Sequence, residues 1–257
     1  MLPVWYLRFL KYQGIKVILL IHDLDRLRQG HQDLSRLERN TFNAASGLIV
    51  HTPSMADYLQ SQGIKALQQI LYLFDYYTDT DSFRQPENIG SIVFCGNLGK
   101  SGFLSVFDEQ NWNLPTYLYG VGAKKQYGNP DVHYMGVFQA DDPSDIEGAW
   151  GLVWDGPDAD TCSTSPIGRY LSYNTSHKIS LYLATGKPVI IWSGCALAQW
   201  IVDRGLGIAI DSLHEIAGKL KDISQAEYSS YAVRVSGIQR ELLSGDFLKQ
   251  ILTPCRR

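Results

Sequence analysis

The feature that most constrains this chain is a series of short, predominantly apolar segments, most of them followed by polar residues and then by a stretch with helical spacing. The segments fall at residues 15–21, 47–50, 69–74, 91–95, 115–120, 132–135, 150–154, 189–191 and 207–210. Continuous apolar runs of this length, bounded by turn residues, are the mark of parallel strands buried on both faces. Between them, helices are expected at 3–13, 33–45, 53–61, 143–147, 196–204 and 212–220, with a helical tail at 225–252 broken near 244–245. Strand and helix alternate, so the chain reads as α/β with parallel sheets.

The alternation is interrupted once. Residues 78–90 shift to Thr, Asp, Ser, Gln, Pro, Glu and Asn, the composition of a linker. The chain therefore divides into a first block at 1–77, the linker at 78–90, a second block at 91–235 and a tail at 236–257. The two blocks look like two versions of one plan.

With 257 residues, 45% of them apolar and 12% aromatic, the chain can bury sizeable cores. A net charge of −3 and the lack of any basic block argue against a nucleic-acid partner and leave small molecules. The four cysteines have no C-x-x-C spacing, so neither a zinc site nor a disulfide framework is indicated. No apolar run reaches the roughly 18–20 residues of a membrane span, and the cytosol is the default compartment. Trp5, Tyr6, Phe9 and Leu10 beside Arg8 and Lys11 would also suit a helix lying on a membrane surface.

In an open α/β sheet, residues just past the carboxyl ends of strands face the ligand crevice. Here these are His22 and Asp23, with Asp25 and Arg28 beyond; Gly96 to Lys100; Tyr119 and Gly120; and Asp155 and Gly156. The first group reads equally as a solvated polar loop. In the second, Gly96 and Gly99 allow close backbone approach and Lys100 supplies a point charge, although the turn matches neither G-x-G-x-x-G nor a Walker A loop. A Ser/Thr/Gly-rich loop at 157–173 leads into the stretch 172–191. There Asn174, Thr175 and Ser176 precede a helix that ends at Gly186 and Pro188, and His177 and Lys178 occupy its first turn. A cation at that place makes sense if a phosphate binds at the helix N-terminus. Taken by itself, the stretch also reads as an ordinary crossover with a surface lysine.

The segments His22-Asp23-Leu24 with Leu27-Arg28, Ile49-Val50-His51 with Met55, Leu73 to Tyr76, and Phe94 to Leu98 joined to Asn174, His177-Lys178 and 182–189 run through nearly the whole chain. Together they resemble glycosyltransferases of the GT-B fold. The likeness is to the bacterial group of glucosyltransferases that extend glycans on serine-rich-repeat adhesins and of β-1,6-galactofuranosyltransferases of polysaccharide synthesis. The resemblance implies two Rossmann-like domains facing a cleft, the first presenting the acceptor and the second binding a UDP-sugar, with the tail packed back on the first. It implies that Lys178, with Ser176 and His177 at the helix start, meets the diphosphate, and that Asn174 holds the sugar or a phosphate. Gly96, Asn97 and Lys100 would assist from the turn, Tyr119, Gly120 and Gly156 would line uracil and ribose, and Tyr182 would stand near the donor. Asp23, then His22, would act on the acceptor hydroxyl.

The implied reaction moves a hexosyl unit, glucose, galactose or galactofuranose, from a UDP-sugar to a hydroxyl of a glycan or glycopeptide, with no metal and no cofactor. Two departures stand out. Ser180 and Tyr182 occupy the turn where many GT-B enzymes carry a ribose-binding glutamate, and family members begin with one or two β-α units that would precede residue 1, so a truncated first domain is expected. The other function class compatible with the residues is a non-catalytic nucleotide-sugar-binding or partner subunit. An epimerase or phosphorylase fits less well, because no residues resemble a pyridoxal-phosphate lysine site. A peripheral contact at the inner face of a membrane and self-association both stay open.

Overall fold

A computed structural model describes residues 3–109, 112–124 and 127–255; positions 1–2, 110–111, 125–126 and 256–257 lie outside the described residues. In chain order the elements are α1 (Val4–Tyr12), β1 (Ile18–Leu20), α2 (Asp25–Arg28), α3 (Arg36–Ala44), β2 (Gly47–Val50), α4 (Pro53–Ser61) and β3 (Leu67–Ile70). Then follow β4 (Ile92–Cys95), β5 (Thr116–Tyr119), β6 (Val132–Gly136), β7 (Trp150–Val153), α5 (Pro166–Tyr170), α6 (His177–Ala184) and β8 (Val189–Trp192). The chain closes with α7 (Ala198–Asp203), β9 (Gly207–Ile210), α8 (Ile216–Lys221), α9 (Gln225–Ser244) and α10 (Asp246–Cys255).

The strands form two parallel sheets, a three-stranded one of order β1-β2-β3 and a six-stranded one of order β6-β5-β4-β7-β8-β9. The second order is that of a doubly wound nucleotide-binding sheet, with its direction of winding reversing between β4 and β7. In the first sheet the two-residue period of a strand separates two apolar faces. Ile21, Leu48 and Val50 pack with Leu34, Phe42, Met55 and Leu59, while Ile49 and Leu71 pack with Ile251 of α10. The Asp75 carboxylate accepts from the N–H groups of Phe247 and Leu248, at 3.1 and 2.9 Å, and so caps the first turn of α10. Cys95, Cys162 and Cys195 are free thiols; the side chain of Cys255 lies outside the described residues.

Several elements differ from expectation for local reasons. The third strand is Leu67–Ile70 rather than 69–74, because Tyr72 turns into the left-handed region at φ 62° and ends the ladder. Leu71, Leu73 and Phe74 are apolar because they are buried, not because they are extended. Residues 143–147 form a turn and no helix, since the Asp142 carboxylate accepts from the Ser144 N–H and hydroxyl and competes with helical bonding. The segment 157–173 is not a bare loop: it holds α5, with Ser165 as cap and Pro166 in the first turn. A helical turn, α2, stands where a polar loop was expected, and the Gly96 turn is followed by 3-10 turns.

The halves are joined by specific contacts. Tyr170 of α5 is buried within the core of the first half, and its hydroxyl accepts from the Leu24 N–H at 2.7 Å. The Thr175 hydroxyl donates to the Tyr72 carbonyl at 2.7 Å, the Thr52 hydroxyl donates to the Tyr173 carbonyl, and the Thr175 N–H donates to His51 Nδ1 at 3.3 Å. His51 is 1% exposed, and its Nε2 has no well-formed partner among the described residues. Burial pushes its pKa down to about 4, with the nearby imidazoles of His177 and His22 adding to the effect.

Within the second half, α6 lies directly on β7. Gly151 has no side chain, and the Tyr182 ring occupies the space where a Cβ would stand. The Tyr182 hydroxyl then accepts from the Cys95 N–H at 2.8 Å, tying α6 to β4 as well.

Two predictions follow from these contacts. Gly151→Ala should destabilise the chain by about 2–3 kcal/mol through overpacking, read as a shift in urea midpoint, and Tyr182→Leu should recover part of that loss in the double variant. For His51, the unfolded side chain takes a proton near pH 6.5 and the folded one only near 4. Between those values the unfolded state binds more protons, so stability falls as pH drops from 6.5 to 4, by roughly 3 kcal/mol from this group. His51→Gln, which can still accept from the Thr175 N–H, should flatten that part of the profile; parallel profiles for the two proteins would show that His51 is not its source.

Candidate functional site

The carboxyl ends of β4 and β7 open onto a cavity of about 370 Å³ at the point where the sheet reverses its winding, the position at which such sheets bind ligands. Gly96, Asn97 and Lys100 form one wall, Asp155 and Gly156 a second, and Asn174 to Lys178 a third. Asp23 and Arg28 reach it from the first half. A larger cavity of about 530 Å³ lies at the other end of the small sheet, around Gly14, Ser46, Gly47 and Leu67. It gathers few polar functional groups and stands at the amino ends of the strands, so the switch-point cavity is the better candidate.

The start of α6 leaves its first N–H groups open to the cavity. Ser176 is its N-cap residue, but the hydroxyl caps no helix N–H, and no acidic residue occupies the first turn. α6 shares the lack of a side-chain cap with α1, α2, α7 and α8, whereas α3 and α9 carry Ser35/Glu38 and Ser224/Glu227 boxes; what distinguishes α6 is that its open end lies at the cavity. Its free N–H groups and positive dipole end border the cavity beside Lys178. Lys178 Nζ sits 2.9 Å from Asp155 Oδ1 and 5.3 Å from the centre of the Phe94 ring. A Cβ on Gly96 would stand 3.2 Å from Phe94 Cζ and 3.3 Å from Lys178 Cε, so the turn lies close against both side chains. Asn174 also lines the cavity, with its Oδ1 buried and without a hydrogen-bond partner among the described residues.

Glycines hold the turns in place. A Cβ on Gly120, at φ 135°, would collide with the Gly96 carbonyl, and one on Gly122 would stand 2.6 Å from the Gly99 nitrogen. Gly120 thus supports the Gly96 turn from behind and does not border the cavity. Gly156, at φ 110°, does border it, and a Cβ there would be 2.9 Å from Ser165 Oγ.

On the facing side, aromatic rings are stacked across the junction. Phe74 lies 4.2 Å from His177 and 5.4 Å from His22, both nearly parallel, and His51 meets its face edge-on at 4.6 Å. Burial, and next the proximity of His22, holds the His177 pKa below its ordinary value. Arg28 Nη1 is 3.0 Å from Asp23 Oδ2, so a carboxylate of the first half stands across the cavity from Lys178.

Of the sequence-predicted residues, the cavity unites Asp23, Gly96, Asn97, Lys100, Gly156, Asn174, Ser176, His177 and Lys178. His22 borders a neighbouring cavity of about 440 Å³, which also includes Asp23. Tyr119 is not brought to the site: it is buried, and its hydroxyl accepts from the Glu147 N–H at 2.9 Å and donates to the Asp145 carbonyl. Tyr182 is fully buried beneath β4, where it is bonded to the Cys95 N–H. Asp155 and Arg28 carry charge into the cavity although only their neighbours Gly156 and Asp23 were assigned roles. The rule that singles out strand ends covers Asp155 equally. Tyr170 and Thr175 carry no signal in the sequence, since what matters is the half they touch.

Comparison with known proteins adds relatives to this geometry. The family described as glucosyltransferase 3-like matches in two parts, its N-terminal domain over residues 4–73 and its C-terminal domain over residues 92–255. The β-1,6-galactofuranosyltransferase WbbI of Escherichia coli (strain K12) is 30% identical, with 97% of this chain and 74% of that protein covered. Glucosyltransferase 3 of Streptococcus gordonii is 27% identical, covering 95% and 71%. Among solved structures, Anabaena Alr3699/HepE in complex with UDP superposes with a TM-score of 0.66 at 14% identity over 98% of this chain and 75% of its own. Sucrose-phosphate synthase from Thermosynechococcus elongatus gives 0.61 at 12% identity, covering 97% and 70%. At such identities the structural likeness is one of fold.

Proposed function

Because the chain belongs to the glucosyltransferase 3-like family and is a hexosyltransferase of the GT-B fold, we propose that it moves glucose, galactose or galactofuranose from a UDP-sugar to a hydroxyl of a glycan or glycoprotein. The observation that carries this reading is the uncapped start of α6, with Lys178 in its first turn, facing the Gly96 turn across the switch-point cavity. The names of the curated relatives support a hexosyl group, and the Anabaena protein of this fold was crystallised with UDP-glucose.

In this reading the donor's diphosphate rests on the first N–H groups of α6, with Ser176, His177 and Lys178 on one side and Asn97 and Lys100 on the other. Asn174 accepts from a sugar hydroxyl through its unpaired Oδ1 or donates to a phosphate through its amide N–H, and Gly156 leaves room for the nucleoside. When the glycosidic bond breaks, negative charge grows on the departing diphosphate. Fixed positive charge at that place lowers the barrier without a metal. Asp23 takes the proton of the acceptor hydroxyl, with His22 as the second group in reach. Residues 1–77 then present the acceptor, 91–235 bind the donor and 236–257 close back on the first half. The exposed Trp5, Phe9 and Tyr12 of α1 beside Lys11 would provide a peripheral membrane contact; among the described residues no helix is long and apolar enough to cross a membrane.

Lys178→Ala is expected to lower transfer from UDP-glucose, UDP-galactose or UDP-galactofuranose by about a hundredfold or more and to weaken UDP binding at least about tenfold, with cooperative unfolding retained. Turnover assays and calorimetric titration with UDP measure both. Undiminished UDP affinity in the variant would remove the diphosphate from this site.

A further inference from the structure

The switch-point cavity holds two ion pairs. Lys178 is paired with Asp155 at 2.9 Å, and Arg28 with Asp23 at 3.0 Å, the first on the second half and the other on the first half. They differ in enclosure. The side chains of Lys178 and Asp155 are 17% and 25% exposed, those of Arg28 and Asp23 45% and 38%. An ion pair as open as the second is well screened by water and adds little net stability, so its guanidinium can leave at low cost.

The diphosphate assigned to this cavity has two phosphoryl groups, whereas the α6 N-terminus and Lys178 converge on one place. Lys100 lies on the same half as Lys178. Arg28 borders the cavity from the first half and carries the planar fork of donors that suits phosphate oxygens. Its helical turn is fixed across the junction: α2 packs against α5, and the Leu24 N–H at the start of α2 donates to the Tyr170 hydroxyl at 2.7 Å. Arg28 is thereby kept beside the cavity while its side chain remains free to turn.

Resting on the donor reading above, we propose that Arg28 is a second ligand of the donor's diphosphate and reaches it by leaving Asp23, so that donor binding releases the Asp23 carboxylate for the acceptor hydroxyl. Before the donor arrives, Asp23 is occupied by the guanidinium. Afterwards the guanidinium is held by phosphate oxygens, and the carboxylate faces the acceptor side with an open lone pair. The exchange makes binding ordered, donor before acceptor, and no covalent bond changes in it.

Calorimetric titration with UDP, dTDP, GDP and ADP identifies the diphosphate that the wild type binds most tightly, and that nucleotide is the probe. Arg28→Gln is expected to weaken it at least about tenfold and Arg28→Lys by less, while the free nucleoside binds all three proteins alike. Asp23→Asn removes the competitor and is expected to tighten the diphosphate several-fold, but only when Arg28 is present. In the Asp23→Asn/Arg28→Gln double variant that gain should vanish. A loss below about threefold in Arg28→Gln, or an equal gain from Asp23→Asn in both backgrounds, overturns the exchange and leaves the donor reading intact. A wild type that binds none of the four diphosphates overturns the donor reading itself, and the exchange with it.

Discussion

The placement of Tyr182 in the space left by Gly151 is the constraint on which the candidate site depends. A helix that crosses from β7 to β8 would ordinarily be held off the sheet by side chains on both surfaces. Here the strand has no Cβ at the point of contact, the ring lies against its backbone, and the hydroxyl reaches across to the Cys95 N–H at the end of β4. One side chain thus fixes α6 to both strands that flank the reversal of the sheet. The residue after Cys95 is Gly96, so the same hydrogen bond fixes the distance between the α6 N-terminus and the turn facing it. The carbonyl end of α6 is held as well, where Gln239 of α9 donates to the Ala184 carbonyl at 2.8 Å.

That contact also explains how far the sequence could be read. The order of elements in the larger sheet was legible because apolar runs of buried parallel strands stand out, and the strand-end rule found Asp23, Gly96, Asn97 and Gly156 without knowledge of the fold. Within α6, a helical repeat alone does not tell which turn faces a ligand and which faces the sheet. Ser176, His177 and Lys178 belong to the open first turn, while Tyr182, one turn further on, points into the core. Tyr119 has the same history: the last residue of a strand alternates between crevice and core according to register, and its hydroxyl found Glu147 and Asp145. The misplaced third strand has a different cause. Leu71, Leu73 and Phe74 are buried between the small sheet and its neighbours, and burial without extension leaves the same apolar signature as a strand.

Electrostatics in the cavity follow from enclosure more than from residue type. His51 and His177 both carry lowered pKa values, yet His51 is sealed and bonded to a backbone N–H, whereas His177 is open to the cavity. A neutral His51 suits a junction whose polar groups must be matched once and kept. An imidazole at the mouth of an anion site is in a different position, because a bound diphosphate would supply the negative charge that favours its protonated form. Neighbouring histidines therefore answer to opposite demands, and the stack on Phe74 holds both near one another.

Three hydrogen bonds of the junction converge on two residues of the second half, Tyr173 and Thr175. Thr52 bonds the Tyr173 carbonyl, His51 accepts from the Thr175 N–H, and the Thr175 hydroxyl bonds the Tyr72 carbonyl. All three bonds end on residues 173–175, and Lys178 follows three residues later. The positive φ of Tyr72, which cuts β3 short, brings its carbonyl to Thr175 instead of continuing the sheet. Any displacement of the first half against the second must therefore either break these bonds or carry the start of α6 with it. The positions of Asp23 and of the α6 N-terminus are consequently set by one set of contacts, so the groups to which the proposed reaction assigns acceptor and diphosphate are placed relative to each other by the junction, and only the ends of Arg28 and Lys178 are left to adjust.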